Sequence, residues 1–216
     1  MSDLQPFPNT GPTELVWELA RAFKQFAAQP ALTVGAQCWT FADLWQNAAS
    51  IAVSLASCNR PVALIGSRSI EDYAAVLAIF ISGRCYVPLN EHAPGKELRA
   101  LLKLTQASTL LSARETPTFS SLRQSRPFDA RLIDISQPTR AMPPPQLSKF
   151  AYIIATSGSS GAPKAVPISH RNLLSYLANA RRHLDITPRD RTSQIFDLSF
   201  DLSLHDIFMT WLNGAH

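Results

Sequence analysis

Phe150–Asn172 reads FAYIIATSGSSGAPKAVPISHRN, and the order of residue types along this stretch organises the reading of the whole chain. Phe150-Ala151-Tyr152-Ile153-Ile154-Ala155 is apolar, aromatic and β-branched, the pattern of a strand covered on both faces. A run of small residues follows: Thr156, Ser157, Gly158, Ser159, Ser160 and Gly161. Their hydroxyls and unobstructed backbone N–H groups suit phosphate oxygens, and glycine lets the backbone approach a ligand closely. Pro163 stiffens the exit, and Lys164 brings a mobile cation to the place where polyphosphate charge needs neutralising. Ser169 is then placed to cap a helix running to about His183, with His170 and Asn172 in its first turn.

A lone Gly/Ser loop is commonly a flexible connector. A connector has no need of a buried strand before it, Pro-Lys behind it and a capped helix beyond. Nor does GxxxxGK[ST] fit, because Ala162 stands four residues after Gly158 and Pro163 follows. At TSGSSGAPKAV and HRN the chain resembles the adenylate-forming (AMP-binding) superfamily: acyl- and aryl-CoA synthetases, luciferases and amino-acid adenylation domains of nonribosomal peptide synthetases. The phosphate loop of that family reads [ST]SG[ST]TGxPKG, with HxN later. Ser160 stands where Thr is usual and keeps the hydroxyl. Ala165 stands where Gly is usual and adds only a methyl group, at a φ that alanine tolerates.

At 216 residues, 46% hydrophobic and 17% charged, the chain can bury one sizeable core. The net charge of +4 is mild, and Arg181-Arg182 reads as a solvated helix face, so no nucleic-acid stripe is expected. Cys38, Cys58 and Cys85 lack metal-like spacing and read as reduced, buried thiols of a cytoplasmic protein. The first residues, MSDLQPFPNTGPTE, have neither the basic start nor the apolar core of a signal peptide. No apolar run is long enough to span a membrane.

From the start, Thr13 can cap a helix ending before Pro30, and Ala31–Val34 with Gln37–Trp39 reads as a hairpin. Thr40 and Asp43 make a capping-box-like pair opening a helix from Phe41 to about Ser57. Pro61–Ser67 is a buried strand, Ser69 with Glu71 and Asp72 starts an inner helix ended by Gly83, and ISGRCYVPLN resembles a segment of the same superfamily in which a strand follows the helix. A helix over Ala93–Gln106 and a strand over Thr109–Leu111 complete an alternation that predicts an α/β fold with a mainly parallel sheet flanked by helices. Residues 115–148 are polar and Pro-rich and read as a variable surface excursion. WTFADL also resembles a segment of that superfamily.

The second informative stretch is SQIFDLSFDLSLHDIFMTWLNGAH, Ser193–His216, in which Phe-Asp-Leu-Ser occurs twice in succession. Ser203 and Asp206 read as another capping box, which puts Asp201 at a strand-to-helix junction, where ligands of open α/β sheets collect. On the resemblance to peptide-synthetase adenylation domains and D-alanine-activating ligases, the second FDxS copy supplies Asp201 to pair with a substrate α-ammonium. Leu202 and His205 would line the side-chain pocket. A buried carboxylate left without an amine would cost several kcal/mol. The plain alternatives are a turn or cap role for Asp201 and an ordinary helix position for His205.

The resemblance implies an ATP-dependent ligase. An amino-acid carboxylate attacks the α-phosphorus of MgATP, pyrophosphate leaves, and the aminoacyl adenylate passes to a thiol, most often the phosphopantetheine arm of a carrier protein. On the same resemblance Lys164 would be the catalytic cation, Thr156, Ser157, Gly158, Ser159, Ser160 and Gly161 would hold the nucleotide with it, and ATP and Mg2+ would be the cofactors, with no protein metal ligand assigned. Family segments of the YGPTE and YxTGD types and the C-terminal mobile domain with its lysine find no counterpart in 1–216, which reads as the N-terminal portion of an adenylation domain. An acyl- or aryl-CoA ligase of the same superfamily, an inactive nucleotide- or partner-binding module, and an unrelated α/β protein binding a phosphorylated ligand remain alternatives.

Overall fold

Val62-Ala-Leu-Ile-Gly66 forms a strand with every residue buried, and its alternation divides the molecule in two. Val62 and Leu64 enter one hydrophobic core; Ala63 and Ile65 enter another. Side chains of successive strand residues point to opposite faces, so a strand apolar throughout requires a cover on each. The computed structural model describes residues 14–125, 128–139, 144–157 and 163–216. In chain order it contains α1 (Glu14–Gln25), β1 (Pro30–Val34), β2 (Gln37–Thr40), α2 (Phe41–Ser54), β3 (Val62–Gly66), α3 (Ile70–Ile81), β4 (Tyr86–Asn90), α4 (Gly95–Thr105) and β5 (Thr109–Ser112). Then come α5 (Pro117–Gln124), β6 (Asp129–Leu132), β7 (Phe150–Ser157), β8 (Pro163–Ser169), α6 (His170–His183) and α7 (Asp201–Leu212).

The main sheet has the order β6-β5-β3-β4-β7-β8. All neighbours are parallel except β7 and β8, so the expected mainly parallel α/β fold is present. The larger core gathers apolar side chains of α1, α2, α3, α6 and α7 on one face; α4 and α5 cover the other through Leu98, Leu102, Phe119 and Leu122. The helix α3 is buried almost throughout, as an inner helix should be, and β1 and β2 form the separate hairpin.

Local chemistry fixes the junctions. Thr40 and Asp43 form the capping box of α2, and Ser69 and Asp72 that of α3. Asp72 is fully buried, and its Oδ2 accepts from the Ser67 N–H (2.8 Å), the Ser67 hydroxyl (2.9 Å) and the Ser69 N–H (3.0 Å). One carboxylate oxygen thus ties the end of β3 to the start of α3, around Arg68 at φ 59°. Gly83 turns the chain out of α3 at φ 74°, a conformation that glycine adopts without steric cost. Ser169 caps α6 by accepting from the Asn172 N–H.

The structure corrects three expectations. Residues 115–148 are not wholly a surface excursion: Thr116 and Pro117 start α5, whose Phe119 and Leu122 are fully buried, and β6 extends the sheet beside β5. The polar sequence hid β6 because it is an edge strand, half-exposed along its length. Of the three cysteines, Cys58 and Cys85 are buried but Cys38 is exposed on β2. Helix α2 ends at Ser54, three residues before the expected Ser57. The cap assigned to Thr13 lies outside the described residues. Among the described residues no helix is long and apolar enough to cross a membrane.

Two outcomes are expected. Phe119→Ala removes a fully buried ring and should lower the unfolding free energy by about 3 kcal/mol; a loss near zero in urea titration would return 115–148 to the surface. His170 is 2% exposed, neither ring nitrogen has a hydrogen-bond partner among the described residues, and burial pushes its pKa below the ordinary 6.5. A depressed folded pKa means that protons bind the unfolded chain better, so this contribution is complete above pH 6.5 and is lost as pH falls below it. Between pH 7 and pH 5 the wild type should therefore lose stability relative to His170→Leu, and a pH-independent difference would contradict the burial.

Candidate functional site

Strands β7 and β8 run antiparallel in a register that sets Ala155 opposite Ala165, Thr156 opposite Lys164 and Ser157 opposite Pro163. Side chains directly opposite in such a pair lie on the same side of the ribbon, their Cβ atoms about 5 Å apart. A hydroxyl and an ammonium, both exposed, therefore stand together at the end of the hairpin. Gly158, Ser159, Ser160 and Gly161 lie outside the described residues. Thr156 and Ser157 belong to β7 itself, and the chain returns as a strand before reaching α6. That strand is hidden in the sequence by Pro163 and Pro167, residues that strands accept at their first position and on sheet edges. Ala165 sits inside β8 at a negative φ, so its methyl group is accommodated.

The segment ahead of α7 is held by side chains of the β3–α3 junction, of α3 and of β4. Arg68 donates to the Ile195 carbonyl (3.0 Å), Tyr73 Oη to Gln194 Oε1 (2.5 Å) and Tyr86 Oη to the Leu198 carbonyl (3.4 Å). Leu198 is buried against Gly66, where a Cβ would come within 2.7 Å of its side chain. The placement agrees with the rule for open α/β sheets, although residues 190–200 form no strand, contrary to the expected strand-to-helix junction.

The two FDLS copies differ in role. Asp197 Oδ1 accepts from the Ser199 N–H (2.9 Å) and hydroxyl (2.5 Å), a closed local turn. Asp201 opens α7, and its carboxylate is exposed and makes no hydrogen bond or ion pair among the described residues. The expected burial of this carboxylate is therefore not observed, and the desolvation argument for an amine partner does not apply to the chain as it stands. The Ser203–Asp206 capping box does not form either. Because α7 starts at Asp201, Ser203 is already inside the first turn and donates to the Phe200 carbonyl (2.6 Å). Asp206 Oδ2 is buried without a hydrogen-bond partner among the described residues, and burial raises its pKa.

His205 lies one turn beyond Asp201, on the same helix face. Its Nδ1 is 2.7 Å from the hydroxyl of Tyr176 on α6. The field of Asp201 reaches Tyr152 on β7 and Tyr176; together with burial, the larger effect in each, it raises both phenols, Tyr152 to about 12. Three elements thus bring Asp201, His205, Tyr152 and Tyr176 together, flanked by exposed Phe200 and Leu202. The two tyrosines escape a reading of the sequence because neither sits in a recognisable motif. A cavity of about 320 Å³ lies elsewhere, between β1 and α7, bordered by Tyr73, Gln194, Asp206 and His216 and by none of the predicted site residues. Among the described residues no three His, Cys, Asp or Glu side chains gather as a metal site.

A family model described as AMP-binding enzyme matches residues 19–216. A plipastatin synthase of Bacillus subtilis (strain 168) is 34% identical over 98% of this chain, which covers 8% of that protein. The non-ribosomal peptide synthetase CmlP of Streptomyces venezuelae is 30% identical over 91% of the chain, or 22% of its own length. The Vibrio cholerae adenylation domain AlmE, solved in complex with glycyl-adenosine-5'-phosphate, superposes at a TM-score of 0.77 with 25% identity, covering all of this chain and 46% of that one. The Klebsiella oxytoca NpsA N-terminal subdomain, in complex with 3-hydroxybenzoyl-AMSN, gives 0.77 at 28% identity, over 97% of this chain and 55% of that one. The chain therefore spans about half of these structures and a small share of the synthetases. The family match, the relatives and the shared architecture agree with the hairpin and the α7 terminus described above: this chain belongs to the AMP-binding enzyme family and is homologous to the adenylation domains of nonribosomal peptide synthetases.

Proposed function

We propose that residues 1–216 form the N-terminal portion of an amino-acid-activating adenylation domain. In the reaction a carboxylate oxygen attacks the α-phosphorus of ATP, the bond from that phosphorus to the bridging oxygen breaks, and pyrophosphate leaves with the displaced electron pair. Lys164 and the Thr156 hydroxyl, paired across β7 and β8, neutralise and orient the phosphates, to which Ser157, Gly158, Ser159, Ser160 and Gly161 add hydroxyl and backbone N–H donors. Mg2+ bound to the triphosphate adds charge neutralisation. Asp201 receives the substrate α-ammonium, and Leu202 and His205 border its side chain. The phosphopantetheine thiolate of a carrier protein then attacks the acyl carbon of the adenylate, the carbon–oxygen bond to the phosphate breaks, and AMP leaves with the electron pair as the thioester forms.

The observation that carries the amino-acid reading is the Asp201 carboxylate, which opens α7 beside Tyr152 and Tyr176 with no hydrogen bond or ion pair among the described residues. A cationic partner suits it better than a neutral one. The second reading, activation of an aryl acid, is supported by the likeness to NpsA, whose structure holds a 3-hydroxybenzoyl analogue. Amino-acid-dependent ATP–pyrophosphate exchange separates the two readings. Lys164→Ala should slow exchange by about a hundredfold while leaving the fold intact. Asp201→Asn should raise the amino-acid KM by about tenfold with less effect on the ATP KM. Exchange driven by benzoates and indifferent to Asp201 would select the aryl reading; exchange unaffected by Lys164→Ala would remove the phosphate role. No exchange with any acid would agree with an N-terminal portion that is inactive without the rest of its domain, whereas ATP binding retained without turnover in the complete domain would favour the inactive binding module.

A further inference from the structure

Two non-glycine residues among those described adopt a positive φ, Gln106 at 55° and Arg68 at 59°. Gln106 follows the last residue of α4, where a left-handed residue is an ordinary way to stop a helix. Arg68 stands one residue ahead of the Ser69 N-cap of α3, a place that ends no helix. A residue with a Cβ holds that conformation at a cost that glycine does not bear. The fold enforces it: Asp72 Oδ2 accepts from the N–H groups on either side, Ser67 (2.8 Å) and Ser69 (3.0 Å). The backbone of this turn favours a smaller residue, so the case for arginine lies in its side chain. That side chain is exposed and donates through Nη1 to the Ile195 carbonyl (3.0 Å). Ile195 is 67% exposed, so burial of its own side chain does not hold it. Its N–H acts on Asp206 of α7, where burial raises the carboxyl pKa and the N–H eases that rise. Of the other side chains that grip this segment, Tyr73 and Tyr86 are buried. Arg68 therefore restrains it from solvent, without a part in the core.

We propose that Arg68 is a positioning residue for the acid-binding end of the site: the turn keeps an unfavourable backbone so that the guanidinium restrains Ile195, and with it the irregular segment that enters α7 at Asp201. The benefit is entropic. A segment already fixed loses less freedom when a ligand binds beside it, so affinity rises without a new contact to the ligand. The inference rests on reading the start of α7 as the end of the site that receives the acid, and it holds for an amino acid and an aryl acid alike.

The test compares the wild-type chain with Arg68→Gly, which relieves the turn and removes the cation, and with Arg68→Lys, which keeps both the turn and a cation. The urea midpoint of Arg68→Gly should equal or exceed that of the wild type. Its nitrogen-15 backbone order parameters over residues 194–198 should nevertheless fall below those of α7. Non-hydrolysable sulfamoyl adenosines, a panel of aminoacyl and benzoyl members, should bind Arg68→Gly about tenfold more weakly than the wild type, and Arg68→Lys should recover most of that loss. Binding of α,β-methylene-ATP, which engages the hairpin, should be the same in all three. A midpoint that holds while affinity falls is a result that a merely structural contact would not give. Analogue affinities in Arg68→Gly that match the wild type, or a midpoint that falls along with them, would overturn this inference and leave the proposed function standing. No binding of any analogue by the folded wild type would overturn both.

Discussion

The pairing of β7 with β8 is the constraint on which the candidate site depends. Beyond an irregularity between Phe150 and Tyr152, six consecutive pairs, from Tyr152 opposite Ile168 to Ser157 opposite Pro163, hold the two strands in register. Strand side chains alternate with a period of two, so a slip of one residue would carry Lys164 to the opposite face from Thr156. The register is pinned from below: Tyr152 and Ile154 enter the larger core and Ile153 the smaller one, so a slipped β7 would lose contacts in both. Burial in the lower half of the hairpin thus fixes chemistry at its exposed upper end.

A second anchor acts at the end of β3. The buried Asp72 carboxylate joins Ser67 to Ser69, and Gly66 leaves room for Leu198. With the Arg68, Tyr73 and Tyr86 side chains on the same segment, these contacts hold residues 194–198 without regular secondary structure. Polar backbone of that kind needs side-chain partners in place of a ladder. The result delivers Asp201 to the helix terminus with its carboxylate uncommitted, whereas Asp197, four residues earlier in an identical tetrapeptide, is consumed by its own turn.

Much of this was legible in the sequence, for identifiable reasons. The Thr40/Asp43 and Ser69/Asp72 capping boxes and the Ser169 cap depend on residues three apart, and local spacing is fully visible in a chain. Buried strands β3 and β7 announced themselves by unbroken apolar runs. What stayed hidden depended on partners distant in sequence. Strand β6 is polar because it lies at the edge; β8 carries two prolines that an edge tolerates; Phe119 is core only because α5 packs on the smaller face. The Ser203/Asp206 pair had the right spacing but was displaced by a helix that begins at Asp201. Within the site, Asp201 and His205 were readable from a motif. Tyr152 and Tyr176 join them only through the packing of α6 against both α7 and β7.

On the proposed function the hairpin and the α7 terminus are two ends of one binding site, and ligand-induced amide shifts in the nitrogen-15 NMR spectrum of the chain test this most directly. Addition of α,β-methylene-ATP should move the amides of Thr156 and Lys164. Subsequent addition of the activated amino acid should move those of Asp201, Leu202 and His205, with tighter binding of each ligand in the presence of the other. Shifts from the nucleotide at α7 alone, or an amino acid that leaves Asp201 untouched, would contradict the account.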